Sequence, residues 1–152
     1  MSWKKGRGLL GPLQPLLGHW RTSRAEGGSP AANMACSRSF TPFGKGWMRL
    51  EARWQTGPDK AYCETAFLGP GEDGGLGCFS FTNDGKRSVG RLADGSDVHA
   101  DAIAFEAQMP AGLARMIYWP REDGEPGFLF AVESKTKKDW NRFLTQRFGP
   151  AV

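Results

Sequence analysis

Histidine is scarce in this 152-residue chain: His19 and His99 are the only two. Cysteine is scarce as well, and Cys36, Cys63 and Cys78 form no Cys-x-x-Cys pair. An odd set of unpaired thiols argues against a disulfide scaffold and fits a reducing, cytoplasmic compartment. A zinc site would have to gather ligands from distant positions, so no metal and no bound cofactor is expected. The Asp-rich stretch 94–101 lacks the spacing of a calcium loop and reads as a solvated turn. No apolar run approaches the ~20 residues of a membrane-spanning helix, so no membrane partner is expected. The segment 9–17 follows Lys4, Lys5 and Arg7 and faintly resembles an export signal, but Pro12, Gln14 and Pro15 interrupt it. Charge is not concentrated either. The chain has 20 Lys and Arg against 16 Asp and Glu, a net charge of +4. With Lys4, Lys5 and Arg7 in the N-terminal tail, the remaining body is close to neutral, which argues against nucleic acid as a partner.

What the chain does contain is spaced punctuation. Glycine (21 residues) and proline (10) recur between short apolar segments, and six Trp and ten Phe supply large buried areas. The length suits one domain. Residues 1–8 read as a disordered tail and 9–150 as the folded unit. Leu9, Leu10, Leu13, Leu16 and Leu17 form an apolar stripe at helical spacing, so 9–17 is expected to be a short helical lead-in that caps one end. Strand-like segments follow at 19–25, 33–41, 47–55, 61–68, 76–82, 87–92, 103–109, 113–119 and 128–134. In the clearest, Met48, Leu50, Ala52 and Trp54 alternate with Trp47, Arg49, Glu51 and Arg53. Asn83-Asp84-Gly85 is a hairpin turn. Gly69-Pro70-Gly71-Glu72-Asp73-Gly74-Gly75 lacks the Gly-Lys-Ser/Thr of a phosphate loop and reads as a flexible hairpin loop at a barrel entrance. Residues 136–148 fit two patterns. Trp140, Phe143, Leu144 and Phe148 have helical spacing, with Thr136 and Asp139 as a capping box; alternation instead makes a closing strand that shields the first strand's edge. The expected fold is an all-β, antiparallel, up-and-down barrel of about 8–10 strands, wide enough for one small ligand.

Gly18-His19-Trp20, at the start of the first strand after a short helical lead-in, resembles the opening of the calycins: lipocalins, fatty-acid-binding proteins and small bacterial barrels related to nitrobindin. The resemblance implies that Trp20 closes the barrel floor beside Gly18, and that an arginine late in the chain, Arg147 or Arg142, packs over its indole. Nitrobindin-like barrels hold haem on a late histidine. The late strand Phe128-Leu129-Phe130-Ala131-Val132-Glu133-Ser134 has none, so that implication does not carry over.

The expected ligand is a small apolar or aromatic molecule, anionic in one version, held among Trp54, Phe79, Phe81, Phe105, Arg115 and Trp119. Arg115 admits two registers. Sharing parity with Leu113, Ile117 and Trp119, it either turns inward to hold an anion or an internal Glu64 or Glu106, or it stays solvated while Ala114, Met116 and Tyr118 turn inward. An enzyme on the same scaffold would use Arg115 with Tyr62, Tyr118 or Glu64 as acid or base. A third alternative is an interaction module with a filled barrel and a partner surface at Trp47, Arg49 and Arg53. Oligomeric state is left open.

Overall fold

The computed structural model describes residues 3–22 and 35–151. A 3-10 helix, Gly11–Leu16, precedes ten strands: β1 (Gly18–Thr22), β2 (Cys36–Phe43), β3 (Trp47–Gly57), β4 (Lys60–Pro70), β5 (Leu76–Thr82), β6 (Arg87–Ala93), β7 (Ile103–Met109), β8 (Gly112–Pro120), β9 (Phe128–Lys135) and β10 (Trp140–Pro150). Each pairs antiparallel with its sequence neighbours, and β1 pairs with β10, Trp20 opposite Pro150 and Thr22 opposite Phe148. The sheet is therefore the closed up-and-down barrel expected from the alternating, turn-linked segments, and closure gives each of the ten described strands a neighbour on both sides. Residues 23–25 and 33–34, read above as strand, lie outside the described residues.

Alternation decides what faces inward. On β2 the buried residues are Cys36, Arg38 and Phe40; on β3 they are Met48, Leu50, Ala52 and Trp54. The C-terminal segment resolves to strand over Trp140–Pro150. Thr136 and Asp139, the candidate helix cap, close the β9–β10 hairpin instead, with the Asp139 N–H donating to Thr136 Oγ1 at 3.0 Å and the Thr136 N–H to the Asp139 carbonyl at 2.7 Å. Both groups that could have started a helix are used up by this turn. A bulge between Arg142 and Leu144 makes Phe143 an extra residue opposite β9.

The barrel end where β1 begins is sealed. Leu13 and Leu16 are fully buried there, and the Trp20 indole donates from Nε1 to the Leu16 carbonyl at 2.7 Å. Its ring meets Phe128 edge-on, with centroids 5.3 Å apart. Gly18 has φ of 133°, a conformation that favours glycine, and it lies against the indole. Arg147 does not cover Trp20: it is exposed on the outer face of β10, and Phe128 lies against the ring instead. The reading of residues 1–8 as a loose tail needs correction at Trp3, which packs on the core and donates from Nε1 to the Asp101 carbonyl at 3.0 Å. The glycine-rich 69–75 segment also joins strands at this sealed end, not at an entrance.

Candidate functional site: a half-hollow barrel

From Trp20 up to Phe40, Leu50 and Tyr118 the interior is solid. Above that level a cavity of about 640 Å³ opens at the end where the β3–β4, β5–β6, β7–β8 and β9–β10 hairpins turn. That volume is in the range of about 300–1,000 Å³ usual for small-molecule sites. Its lining includes Trp54, Glu64, Cys78, Phe105, Met116 and Phe130, together with Thr56, Tyr62, Thr82, Lys86, Met109 and Phe143 close to the hairpins. The hollow has a cause in the strand register. Cys78 pairs with Gly90, Gly90 with Ala107, and Ala107 with Ala114, so one level of the wall from β5 to β8 carries only small groups. The opposite wall cannot close that space without leaving its own packing.

A polar cluster lies at the floor of the cavity. Glu64 Oε2 accepts from Ser80 Oγ at 2.5 Å, and Glu64 Oε1 lies 3.6 Å from Arg38 Nη2. The same Arg38 nitrogen donates to the Tyr118 hydroxyl at 2.8 Å. Arg38 is fully buried, and its Nε and Nη1 find no oxygen or nitrogen partner. Aromatic faces take their place: the guanidinium carbon sits 4.1 Å from the Phe130 ring centroid and 5.2 Å from that of Trp54. Burial works against the Arg38 charge, but Tyr118, Glu64 and Cys36 more than offset it and hold its pKa above the ordinary value. Burial likewise pushes the Tyr118 phenol well up and the Cys36 thiol up to about 11. Cys78 is pushed up to about 12 by burial first and the Glu64 charge second.

These shifts make the interior thiols inert at neutral pH, since the thiolate is the reactive form. At pH 8 the native protein should therefore react with a thiol reagent only at half-buried Cys63, on the outer face of β4. All three cysteines should react in denaturant. Rapid labelling of Cys36 or Cys78 in the native state would contradict this arrangement.

Of the six expected ligand residues, Trp54, Phe105 and Arg115 border the cavity. The guanidinium of Arg115 nevertheless lies on the outer face, as do Phe79, Phe81 and Trp119. On β5 the inner phase is Leu76, Cys78 and Ser80, leaving Phe79 against Trp47 (centroids 5.9 Å apart) and Phe81 half exposed. On β8 the inner phase is Ala114, Met116 and Tyr118, which sends Arg115 and Trp119 to the outer face. Arg115 is not solvated there, however. The 94–102 segment folds back over this face, burying Ala104, Ile117, Trp119 and Ala131 beneath Val98 and Ala102. Arg115 donates from Nη1 and Nη2 to Asp97 at 2.9 and 2.6 Å, and from Nε to Glu133 at 2.7 Å. Its guanidinium lies 4.3 Å from the Trp140 ring centroid, and Arg142, bonded to the other Glu133 oxygen at 2.9 Å, lies over Trp119. The Arg115 bond holds the Asp97 carboxyl below its usual range. Arg115 thus pins a loop, with each of its three guanidinium nitrogens donating to Asp97 or Glu133. Sequence reading missed Arg38 altogether, although Cys36, Arg38 and Phe40 alternate with Ser37, Ser39 and Thr41 and place an arginine in the apolar phase.

His19 Nδ1 lies 2.9 Å from Ser39 Oγ on the outside of β1, and His99 Nδ1 accepts the Asp101 N–H in the 94–102 segment. Neither borders the cavity, so a haem held on histidine does not fit this site. Asp94 and Asp97 are engaged with Ser96 and Arg115. Among the described residues no group of three or more His, Cys, Asp or Glu is placed to hold a metal ion, and no helix is long and apolar enough to cross a membrane.

Fold and cavity together define a ten-stranded antiparallel barrel, solid at one end and hollow at the other. The crystal structure of Rv2717c from M. tuberculosis is similar, with a TM-score of 0.58 and 17% sequence identity over 96% of this chain and 99% of that one. At this identity the likeness is one of fold. No protein-family model matches the chain, and no curated protein matches it.

Proposed function

We propose that the protein binds a small apolar or aromatic molecule in the open half of the barrel. The observation that carries this reading is the row Cys78, Gly90, Ala107 and Ala114, which keeps a mostly apolar cavity of about 640 Å³ open in an otherwise close-packed interior. The high pKa values of Tyr118, Cys36 and Cys78 favour binding over catalysis, because none of the three is poised to lose a proton near neutral pH. A reducing, cytoplasmic setting accords with the free thiols of Cys36, Cys63 and Cys78.

The test uses the neutral fluorescent probe N-phenyl-1-naphthylamine. Saturable binding at one site is expected, with affinity lowered at least about tenfold by Ala107→Trp, which fills the small-residue row. Phe81→Ser, on the outer face, should leave binding unchanged. Equal binding by the wild type and Ala107→Trp would remove the cavity from consideration.

A further inference from the structure

We infer that the floor of the cavity selects a ligand ending in a neutral hydrogen-bond donor, a hydroxyl or phenol, and rejects one ending in a carboxylate. This rests on the reading of the cavity as a ligand site. Among the described residues, Glu64 is the one carboxylate that lines the cavity, beside the apolar surfaces of Trp54, Cys78, Phe105, Met116 and Phe130. Of the lining cations, Lys86 and Arg87 lie by the β5–β6 hairpin, and the Arg115 guanidinium is engaged with Asp97 and Glu133 on the outer face. The Glu64 carboxylate has two oxygens with about four acceptor positions and no proton to give. Ser80 occupies one position and Arg38 approaches a second from beneath, so acceptor capacity remains. The Ser80 proton is already donated to Glu64, which leaves Ser80 Oγ as a further acceptor toward the cavity. The Trp54 indole N–H is likewise committed, to Gln146 Oε1 at 3.3 Å.

The balancing cation is out of reach. Arg38 does not border the cavity; Phe130 and Trp54 lie over its guanidinium. A ligand carboxylate pushed to the floor would meet a like charge across a short, weakly screened distance, and its own lost hydration would go uncompensated. An ammonium would add a second cation beside Arg38. A neutral donor gives Glu64 a bond without changing the charge of the Arg38–Glu64 pair. At the mouth, Lys86 and Arg87 favour the opposite choice, so a head group held there would be an anion.

Titration calorimetry with 4-butylphenol, 4-butylbenzoate and butylbenzene separates these possibilities on the unmodified protein. The phenol should bind at least about tenfold more tightly than either of the others. In Glu64→Gln the disadvantage of the benzoate should shrink to within about threefold, because the floor is then uncharged and offers an amide donor. Benzoate binding as tightly as phenol would overturn the inference and place the polar group at Lys86 and Arg87, while leaving the cavity reading intact. Equal binding of phenol and butylbenzene would overturn it by showing that the floor contributes nothing. Binding of none of the three would overturn the cavity reading and the inference with it. The ranking on the wild type decides the matter even if Glu64→Gln folds poorly.

Discussion

Replacing Arg38 by methionine is expected to destabilise the protein by about 3–5 kcal/mol, as is replacing Glu64 by leucine. Each change removes one partner of a pair in which Arg38 is fully buried and Glu64 7% exposed. In Glu64→Leu the fully buried Arg38 cannot be rehydrated, and in Arg38→Met Glu64 keeps only the hydration the cavity gives it, so desolvation dominates the direct worth of an ion pair at 3.6 Å. Arg38→Met also leaves the Tyr118 hydroxyl without its donor. The double variant removes both charges and substitutes apolar groups of similar reach, so most of the loss should be recovered, to within about 2 kcal/mol of wild type. Denaturant titration of the four proteins measures this coupling. At about 2–4 °C per kcal/mol for a chain of this size, the single variants should melt roughly 10 °C lower. Strict additivity of the two losses would show that Arg38 and Glu64 do not balance one another.

The second large effect is expected at the sealed end. Trp20→Ala should cost about 3–5 kcal/mol, because a buried indole is lost from beneath the 3-10 helix and the Phe128 edge contact goes with it. Trp20→Phe retains an aromatic surface but leaves the Leu16 carbonyl without its donor, so a smaller loss of about 1–2 kcal/mol follows. The two variants differ in a second observable. The bond to Leu16 is the polar tie between helix and barrel, so Trp20→Phe should raise proteolysis within residues 9–17 while leaving the strands protected. Unchanged cleavage there would mean that Leu13 and Leu16 hold the lead-in by burial alone.

The barrel was legible because its signal is repeated: β3 and β7 alternate cleanly, and Trp54 and Phe105 follow from them. Alternation fixes two faces but does not name the inner one. On β5 the bulkier phase, Phe79 and Phe81, reads naturally as interior, yet the hollow half of a barrel is where small side chains belong inside. The phenyl rings lie outward, Phe79 against Trp47. On β8 the difficulty is different. The 94–102 segment buries the outer face as well, so both phases carry apolar residues and parity loses its meaning. Arg115 is buried for that reason, with partners 18 positions away on either side in sequence, Asp97 and Glu133. No local pattern could have paired them. The helical spacing of Trp140, Phe143, Leu144 and Phe148 has a similar origin, since the bulge at Phe143 breaks a strand's alternation by one residue.

That single residue divides β10 into two lengths read in opposite phase. Before it, Trp140 and Arg142 serve the outside, lying over Arg115 and Trp119; after it, Leu144, Gln146 and Phe148 serve the inside. Phe143 is thus a change of frame already written into the strand: even-numbered positions face out before it and in after it. Without it, Arg142 and Leu144 would follow one another as their partners Glu133 and Val132 do, each would keep its face, and β10 would alternate regularly along its whole length. In this strand, grammar matters more than vocabulary.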